Sequence, residues 1–461
     1  MKKVIGFLLC AVLALSFFGC GKKNDGEISG SSENNSNNMS AASNEEIYFL
    51  NFKPEVSAVY DRIAKTYKEE TGVTVKVVTA ASDTYEQTLT SEVAKKEAPT
   101  IFQINGPIGY QNWKNFCADL SDTKLYSYLS DKNLAIKDGS GVYGIPYVVE
   151  SYGIIYNKAI TDKYFALKTR QTKVNSMDEI VNFQTLKTVV EDMTKHKKEL
   201  DIDGVFASTS FSSGNQWRWH THLANVPMYY EFSENDKYDD PTVAGLNTDE
   251  ITFKYAENFK NTFDLYINNS GTQKGLLGGK SVNDSMSEFA LGKVAMVQNG
   301  TWAYNDIKGL AGNVVEADNI KMMPIYTGVK GEEKQGLCVG TENYICINSK
   351  VSKEKQEASI AFLEWLFSSE KGKKYVTDEL EFISPFNTFS ENEAPANPLS
   401  KETVRWMNKD DVASIPWIFT AFPSETFKED FGAALLEYTQ GTKNWDYVRQ
   451  TVVTSWKNES K

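Results

Sequence analysis

The sequence predicts an α/β protein of two lobes, on two observations. The first is a strand–helix–strand unit near residue 47. The second is a body from residue 46 to 461, longer than one hydrophobic core usually supports. Residues 47–50 are apolar and read as a short buried strand. Val56, Val59, Tyr60, Ile63 and Tyr67 then recur at helical spacing, with Pro54 near the helix start and Gly72 just past its end. Val73, Val75 and Val77 alternate as a second strand. A βαβ unit of this kind implies a parallel sheet covered by helices.

Further elements follow in order. Residues 100–104 form a strand, with Asn105-Gly106-Pro107 as the turn after it. Residues 142–155 contain a turn at 144–146 and a long strand continuing to Tyr156. Residues 177–197 are an amphipathic helix, and 216–230 are dense in aromatics. A helix around 283–291 stops at Gly292; 294–297 is a strand, and 298–301 is the turn after it. Helices over 358–375, 426–438 and 447–456 complete the chain. No internal repeat of tens of residues is present.

The first 45 residues set the compartment. Lys2 and Lys3 precede an apolar run over residues 4–18, shorter than the ~20 residues that span a bilayer. This is a signal-peptide pattern for residues 1–19. Gly19-Cys20-Gly21 at its end resembles a lipobox, with Phe17 where leucine is usual. Cys20 would carry the lipid and become the mature N-terminus. The alternative is an ordinary secretory signal with an incidental cysteine. Residues 20–45 are rich in Ser, Asn and Gly and read as a disordered tether. The expected location is the extracellular face of the membrane, held there only by lipid.

The net charge is −12, and no basic block exists, which argues against nucleic acid or anionic membrane as partner. Aromatics make up 12% of the chain, more than packing requires, so exposed rings are expected. Beyond Cys20, the mature chain keeps Cys117, Cys338 and Cys346, an odd number that cannot all pair. A disulfide between Cys338 and Cys346 stays open beside the reading of buried free thiols.

Four segments, in order, resemble the bacterial extracellular sugar-binding proteins of ABC importers, the family that includes maltose-binding protein. They are Thr71-Gly72-Val73-Thr74-Val75; Gly144-Ile145-Pro146-Tyr147 with Ile155-Tyr156-Asn157-Lys158; Phe289-Ala290-Leu291-Gly292-Lys293-Val294-Ala295-Met296 with Asn299-Gly300-Thr301-Trp302; and Ala361-Phe362-Leu363-Glu364-Trp365-Leu366. The resemblance implies a periplasmic-binding-protein-like fold of class II, with two α/β lobes, about three crossovers and a ligand cleft between the lobes. Carried onto this chain, the N-lobe is 46–152 plus about 325–378, and the C-lobe is about 153–324 plus 379–461. It further implies a monomer that binds a small-molecule carbohydrate, works with the permease subunits of an importer, and needs no cofactor.

Ligands in open α/β sheets bind beyond the carboxyl ends of strands. That rule selects the turns at 51–55, 105–109, 150–152 and 298–302, where the family also places its sugar contacts. Planar polar groups meet sugar hydroxyls and aromatic rings meet the C–H faces. The polar candidates are Asn51, Lys53, Glu55, Asn105 and Glu150. Glu150 occupies the position of a sugar-binding acid in the maltose-binding relatives, whereas Phe52 and Pro54 alter the loop holding Lys53 and Glu55. The ring candidates are Trp302, one of Trp217 and Trp219 with Trp217 favoured, then Trp417 and Phe422; for each the alternative is core packing. Trp365 lies in an apolar helical face and reads as core.

His220 and His222 lack a third ligand for zinc. Asp201-Ile202-Asp203-Gly204 lacks the later ligands of a calcium loop and reads as a turn, and the acidic run 231–240 reads as a solvated loop with weak calcium binding as the alternative. The expectation is a non-catalytic binding protein, probed against two alternatives: a receptor for a non-sugar solute, and a surface glycoside hydrolase using Glu55 and Glu150 as its carboxylate pair.

Overall fold

The computed structural model describes residues 46–80, 84–208, 210–212, 214–341, 343–390 and 393–460. The expected signal peptide, Cys20 and the expected tether lie outside the described residues. Twelve strands occur in the described chain: β1 (Ile47–Asn51), β2 (Val75–Thr79), β3 (Ile101–Asn105), β4 (Ile136–Asp138), β5 (Gly141–Pro146), β6 (Glu150–Asn157), β7 (Gly204–Phe206), β8 (Val294–Gly300), β9 (Ile320–Met323), β10 (Gln335–Gly340), β11 (Asn343–Ile347) and β12 (Ala413–Pro416).

They form two sheets. The first has the order β2-β1-β3-β11-β5-β4; the second has β12-β10-β6-β8-β7, with β9 also paired to β6. β1 runs parallel to β2 and β3, as the βαβ reading requires, with the helix Ser57–Thr71 between β1 and β2. That helix ends at Gly72, whose φ of 78° is open to glycine at low steric cost.

Strand alternation decides the cores. Ile47, Phe49, Ile101, Ile345 and Ile347 face one layer of the first lobe, while Tyr48, Leu50, Phe102, Ile104 and Cys346 face the other. The second sheet is buried in a larger core with the helices Phe183–Lys195, Ala256–Asn268 and Glu425–Thr439. The fold is therefore the expected two-lobed α/β architecture.

The chain passes between the sheets at three places. The first is 147–149, between β5 and β6. The second lies between Gly340 and Asn343. The third lies between Phe386, in the first core, and Leu399, in the second. Two expected boundaries therefore move. The return to the first lobe comes after Gly340 rather than near 325, because β10 pairs with β6 and β12 and buries Leu337 and Cys338 in the second core. The final exit comes after Phe386 rather than 378, because Leu380, Phe382 and Phe386 pack in the first core.

Two expected turns are strand. Residues 144–146 end β5, and 298–300 end β8, where Gln298 and Asn299 are buried. Turn-forming residue types there yielded to sheet pairing. The expected helix over 177–197 starts later, at Phe183, where Asn182 and Thr185 make a reciprocal capping box. Cys117, Cys338 and Cys346 are all free and buried. Cys338 and Cys346 belong to different sheets, which removes the disulfide left open between them. Among the described residues no helix is long and apolar enough to cross a membrane.

Candidate functional site

The side chains selected at strand ends gather at the edge where the two sheets face each other. Lys53 and Glu55 follow β1, Asn105 ends β3, Glu150 opens β6, Trp302 follows β8, and Trp417 follows β12. Trp217 comes after β7, on the approach to the helix Ala224–Phe232. The strand-end rule thus acts in both lobes at once.

A charged group bridges the first passage, with Lys53 and Glu55 on the first-lobe loop after β1 and Glu150 at the start of β6 in the second sheet. Lys53, 5% exposed, donates to both carboxylate oxygens of Glu150 at 2.8 and 2.9 Å, and its Nζ lies 3.7 Å from Glu55. The Phe382 ring lies 5.9 Å from the same ammonium. Asn51 is wholly buried and turned inward: its Nδ2 donates to the Lys53 carbonyl at 2.8 Å and to Thr79 Oγ1 at 3.0 Å. It therefore braces the loop that carries Lys53 and offers no free amide to a ligand. Burial raises the Glu55 carboxyl above the usual range; Lys53 opposes this, while Glu150 and Asp306 add to it.

The second-lobe side is aromatic. Trp302 lies 6.1 Å from Trp217 and 6.3 Å, edge to face, from Trp417. His222 sits 4.9 Å from Trp217 and stacks on Tyr152 at 4.0 Å. Two glycines make room for the rings. A Cβ on Gly300 would lie 2.2 Å from the Trp302 ring, and one on Gly340 would lie 2.6 Å from Trp417. Neither contact is tolerable, so both strand ends need glycine for the rings to lie against them.

Residues 218–223 adopt a π-helical turn, Arg218–Leu223, which is rare and recurs at functional positions. Its wider repeat brings Trp217 and His222, five residues apart, onto one side. Trp219 points the other way, into the core against Phe211, Phe263 and Tyr266, and is 1% exposed. Trp217 keeps partial exposure and carries the Arg218 guanidinium over its ring at 4.1 Å. Burial pushes the His220 imidazole down to about 3; burial and then Arg218 hold His222 well below its ordinary range, so both rings are neutral. Among the described residues no group of three or more His, Cys, Asp or Glu is arranged to hold a metal.

The two lobes meet in a narrow cleft with a free volume of about 10 Å³, lined by Glu55, Glu150, Phe382, Thr301, Trp302 and Asn397. The lobes are also tied across it. Lys308 donates to Glu381 at 2.7 Å, and a Cβ on Gly106 would lie 2.9 Å from Thr420.

Of the sequence-selected residues, Glu55, Glu150 and Trp302 line this cleft, Lys53 is buried against Glu150, and Trp217 packs beside Trp302. Trp417 is a correction: it is 4% exposed and packs in the second core against Tyr152 and Phe419, behind Trp302. Asn105 lies next to the Gly106–Thr420 contact, with its Oδ1 buried and unpartnered. Phe422 is a correction. It is 1% exposed and packs on Phe427 and Trp456 in the second core, because it follows the short helix Ile418–Ala421 that turns it away from the cleft. Trp365, read as core, is only partly buried and donates through Nε1 to Glu70 at 2.8 Å. Tyr152, Arg218, His222, Asp306 and Glu381 were missed. Asp306 had a usable signal, since it lies one helical turn beyond Trp302 on the same face.

A family model for bacterial extracellular solute-binding proteins matches residues 62–401, and the chain belongs to that family. No curated protein sequence matches it. Among solved structures, it resembles a chitin oligosaccharide binding protein at TM-score 0.68 and 15% identity, over 90% of this chain and 99% of that one. It resembles the binding protein RafE, solved with raffinose, at TM-score 0.66 and 18% identity, over 90% and 100%. The GacH receptor of Streptomyces glaucescens, solved unliganded and with acarbose, matches at TM-score 0.62 and 18% identity, over 90% and 97%.

The raised Glu55 carboxyl gives a pH prediction. The folded state holds its proton more tightly than the unfolded chain, so stability present at low pH is lost as pH rises through the raised pKa. Glu55→Gln is expected to raise the unfolding midpoint at neutral pH and to leave it unchanged below about pH 4. A lower midpoint at neutral pH would show that ionised Glu55 is favoured, by Lys53, in the folded protein.

Proposed function

We propose that this chain is the lipid-anchored, extracellular solute-binding component of an ABC importer, and that its solute is a carbohydrate. The observation that carries the reading is Trp302 in one cleft with Glu55 and Glu150, the ring backed by Trp217 and Trp417 and the carboxylates held by Lys53. Rings meet the C–H faces of sugars, and planar carboxylates accept from their hydroxyls. Several rings suit several sugar units, which favours an oligosaccharide over a monosaccharide. The names of the similar structures, which include chitin oligosaccharide, raffinose and acarbose, support the same class.

A sugar held by both sides would stabilise the closed arrangement by as much as its affinity for closed exceeds that for open. The permease would then take up the closed, loaded form. Hydrolysis is the weaker reading. Both oxygens of Glu150 are engaged by Lys53, which leaves neither poised to protonate a leaving group or attack a sugar.

Tryptophan fluorescence and thermal shift of the purified protein against di- to hexasaccharides test the ligand class. A stabilising hit is the expected result, and silence across the panel with intact folding would move the assignment to a non-sugar solute. For that hit, Trp302→Ala is expected to lose at least about 2 kcal/mol of affinity with folding retained. Unchanged binding would remove Trp302 from the site.

The anchor is tested separately. Cys20→Ser should move the protein from the membrane fraction into the medium, and retention on the membrane would refute lipidation at Cys20.

A further inference from the structure

The buried polar groups behind the tryptophans are mostly hydrogen-bond donors without acceptors. Arg218 is 2% exposed. Its Nε donates to the Gln298 carbonyl at 3.2 Å, but among the described residues neither Nη1 nor Nη2 has a hydrogen-bond partner and the guanidinium makes no salt bridge. Beside it, the Gln298 side-chain amide has no partner at either end. Trp417 Nε1 is likewise buried and unpartnered. Buried polar groups are nearly always satisfied, so several orphans in one place call for an acceptor from outside the chain.

The geometry narrows what that acceptor is. The Trp217 ring covers one face of the guanidinium at 4.1 Å, and the planar edge with Nη1 and Nη2 is buried without a partner. Two parallel N–H donors in a rigid fork match the two oxygens of a carboxylate. A neutral hydroxyl satisfies one donor and leaves the buried charge uncompensated.

The acid that most strongly feels Arg218 is Asp306, whose carboxyl is raised by burial and lowered by the guanidinium, yet it makes no ion pair with it. Trp217, which covers the guanidinium, lies 6.1 Å from Trp302 of the cleft lining, so Arg218 sits directly behind the rings of the second lobe. The other basic groups at the cleft are engaged, Lys53 by Glu150 and Lys308 by Glu381. His222 is neutral and adds no charge.

We propose that Arg218 receives a carboxylate carried by the bound sugar, so that the preferred ligands are oligosaccharides containing uronic acid. The inference rests on the carbohydrate reading above and specifies it.

The test is calorimetric titration of the purified protein with matched acidic and neutral pairs: di- and trigalacturonate against galactobiose and galactotriose, and a glucuronic-acid-substituted xylo-oligosaccharide against the unsubstituted one. The acidic member of at least one pair is expected to bind at least about tenfold more tightly. In Arg218→Gln that ratio should fall towards one. Neutral members binding as well as or better than acidic ones would overturn the proposal and leave the carbohydrate reading standing. A preference for the acidic member that Arg218→Gln leaves intact would also overturn it. Silence for every pair, with a normal thermal melt, would overturn it together with the carbohydrate reading. If Arg218→Gln fails to fold, the wild-type ratio decides alone.

Discussion

The ion pair between Lys53 and Glu150 is the interaction on which the arrangement of this protein turns. Glu150 is the first residue of β6, at the exit of the first passage between the lobes. Its partner in the sheet is Gly340, the last residue before the second passage. Lys53 belongs to the loop after β1, and its ammonium also faces Phe382, on the approach to the third. Next to it, the Val149 amide donates to the Ile383 carbonyl at 2.8 Å, joining the first and third strands of the crossing. One buried charge pair thus touches every covalent link between the lobes. Removing Lys53 would leave Glu150 as an uncompensated charge where the chain must stay ordered for the two sheets to keep their relation.

The cleft follows from where strands end. Parallel strands leave their carboxyl ends on one edge, and in each lobe that edge faces the other lobe. Loops placed there can carry chemistry without disturbing either core, because the sheets beneath them are fully packed. The first lobe contributes Lys53 and Glu55, and the second contributes Glu150 and the rings, with Asp306, Arg218 and Lys308 as further polar groups among the rings. Gly300 and Gly340 show how closely the rings depend on the sheet, since each ring lies where a side chain would otherwise project.

Much of this was legible in the sequence. The apolar run over residues 47–50, helical spacing from Val56 to Tyr67 and alternation over 73–77 predicted the first βαβ unit, and the strand-end rule found Lys53, Glu55 and Trp302; Glu150, selected by the same rule, opens its strand instead of ending one. Their mutual pairing was not legible, because Lys53 and Glu150 are brought together by the crossing rather than by any local pattern. The π turn hid Arg218 and His222, since a wider helical repeat cannot be seen by searching for the ordinary one. Phe422 misled for a related reason. An aromatic close after Trp417 invites the same assignment, but a short helix between them reverses its direction. The lobe boundaries failed where strands from distant parts of the chain complete a sheet, as β10 does beside β6.

The most direct test is a double-mutant cycle on Lys53 and Glu150, read by urea denaturation of the purified protein. Lys53→Met should destabilise by about 3–5 kcal/mol, because it leaves Glu150 buried and unpaired, and Glu150→Gln should cost less, because Glu55 stays 3.7 Å from the Lys53 ammonium. The double variant should lose far less than the sum of the two. Strictly additive losses would contradict the account, for they would mean that the two residues act independently and that no shared interaction holds the crossing.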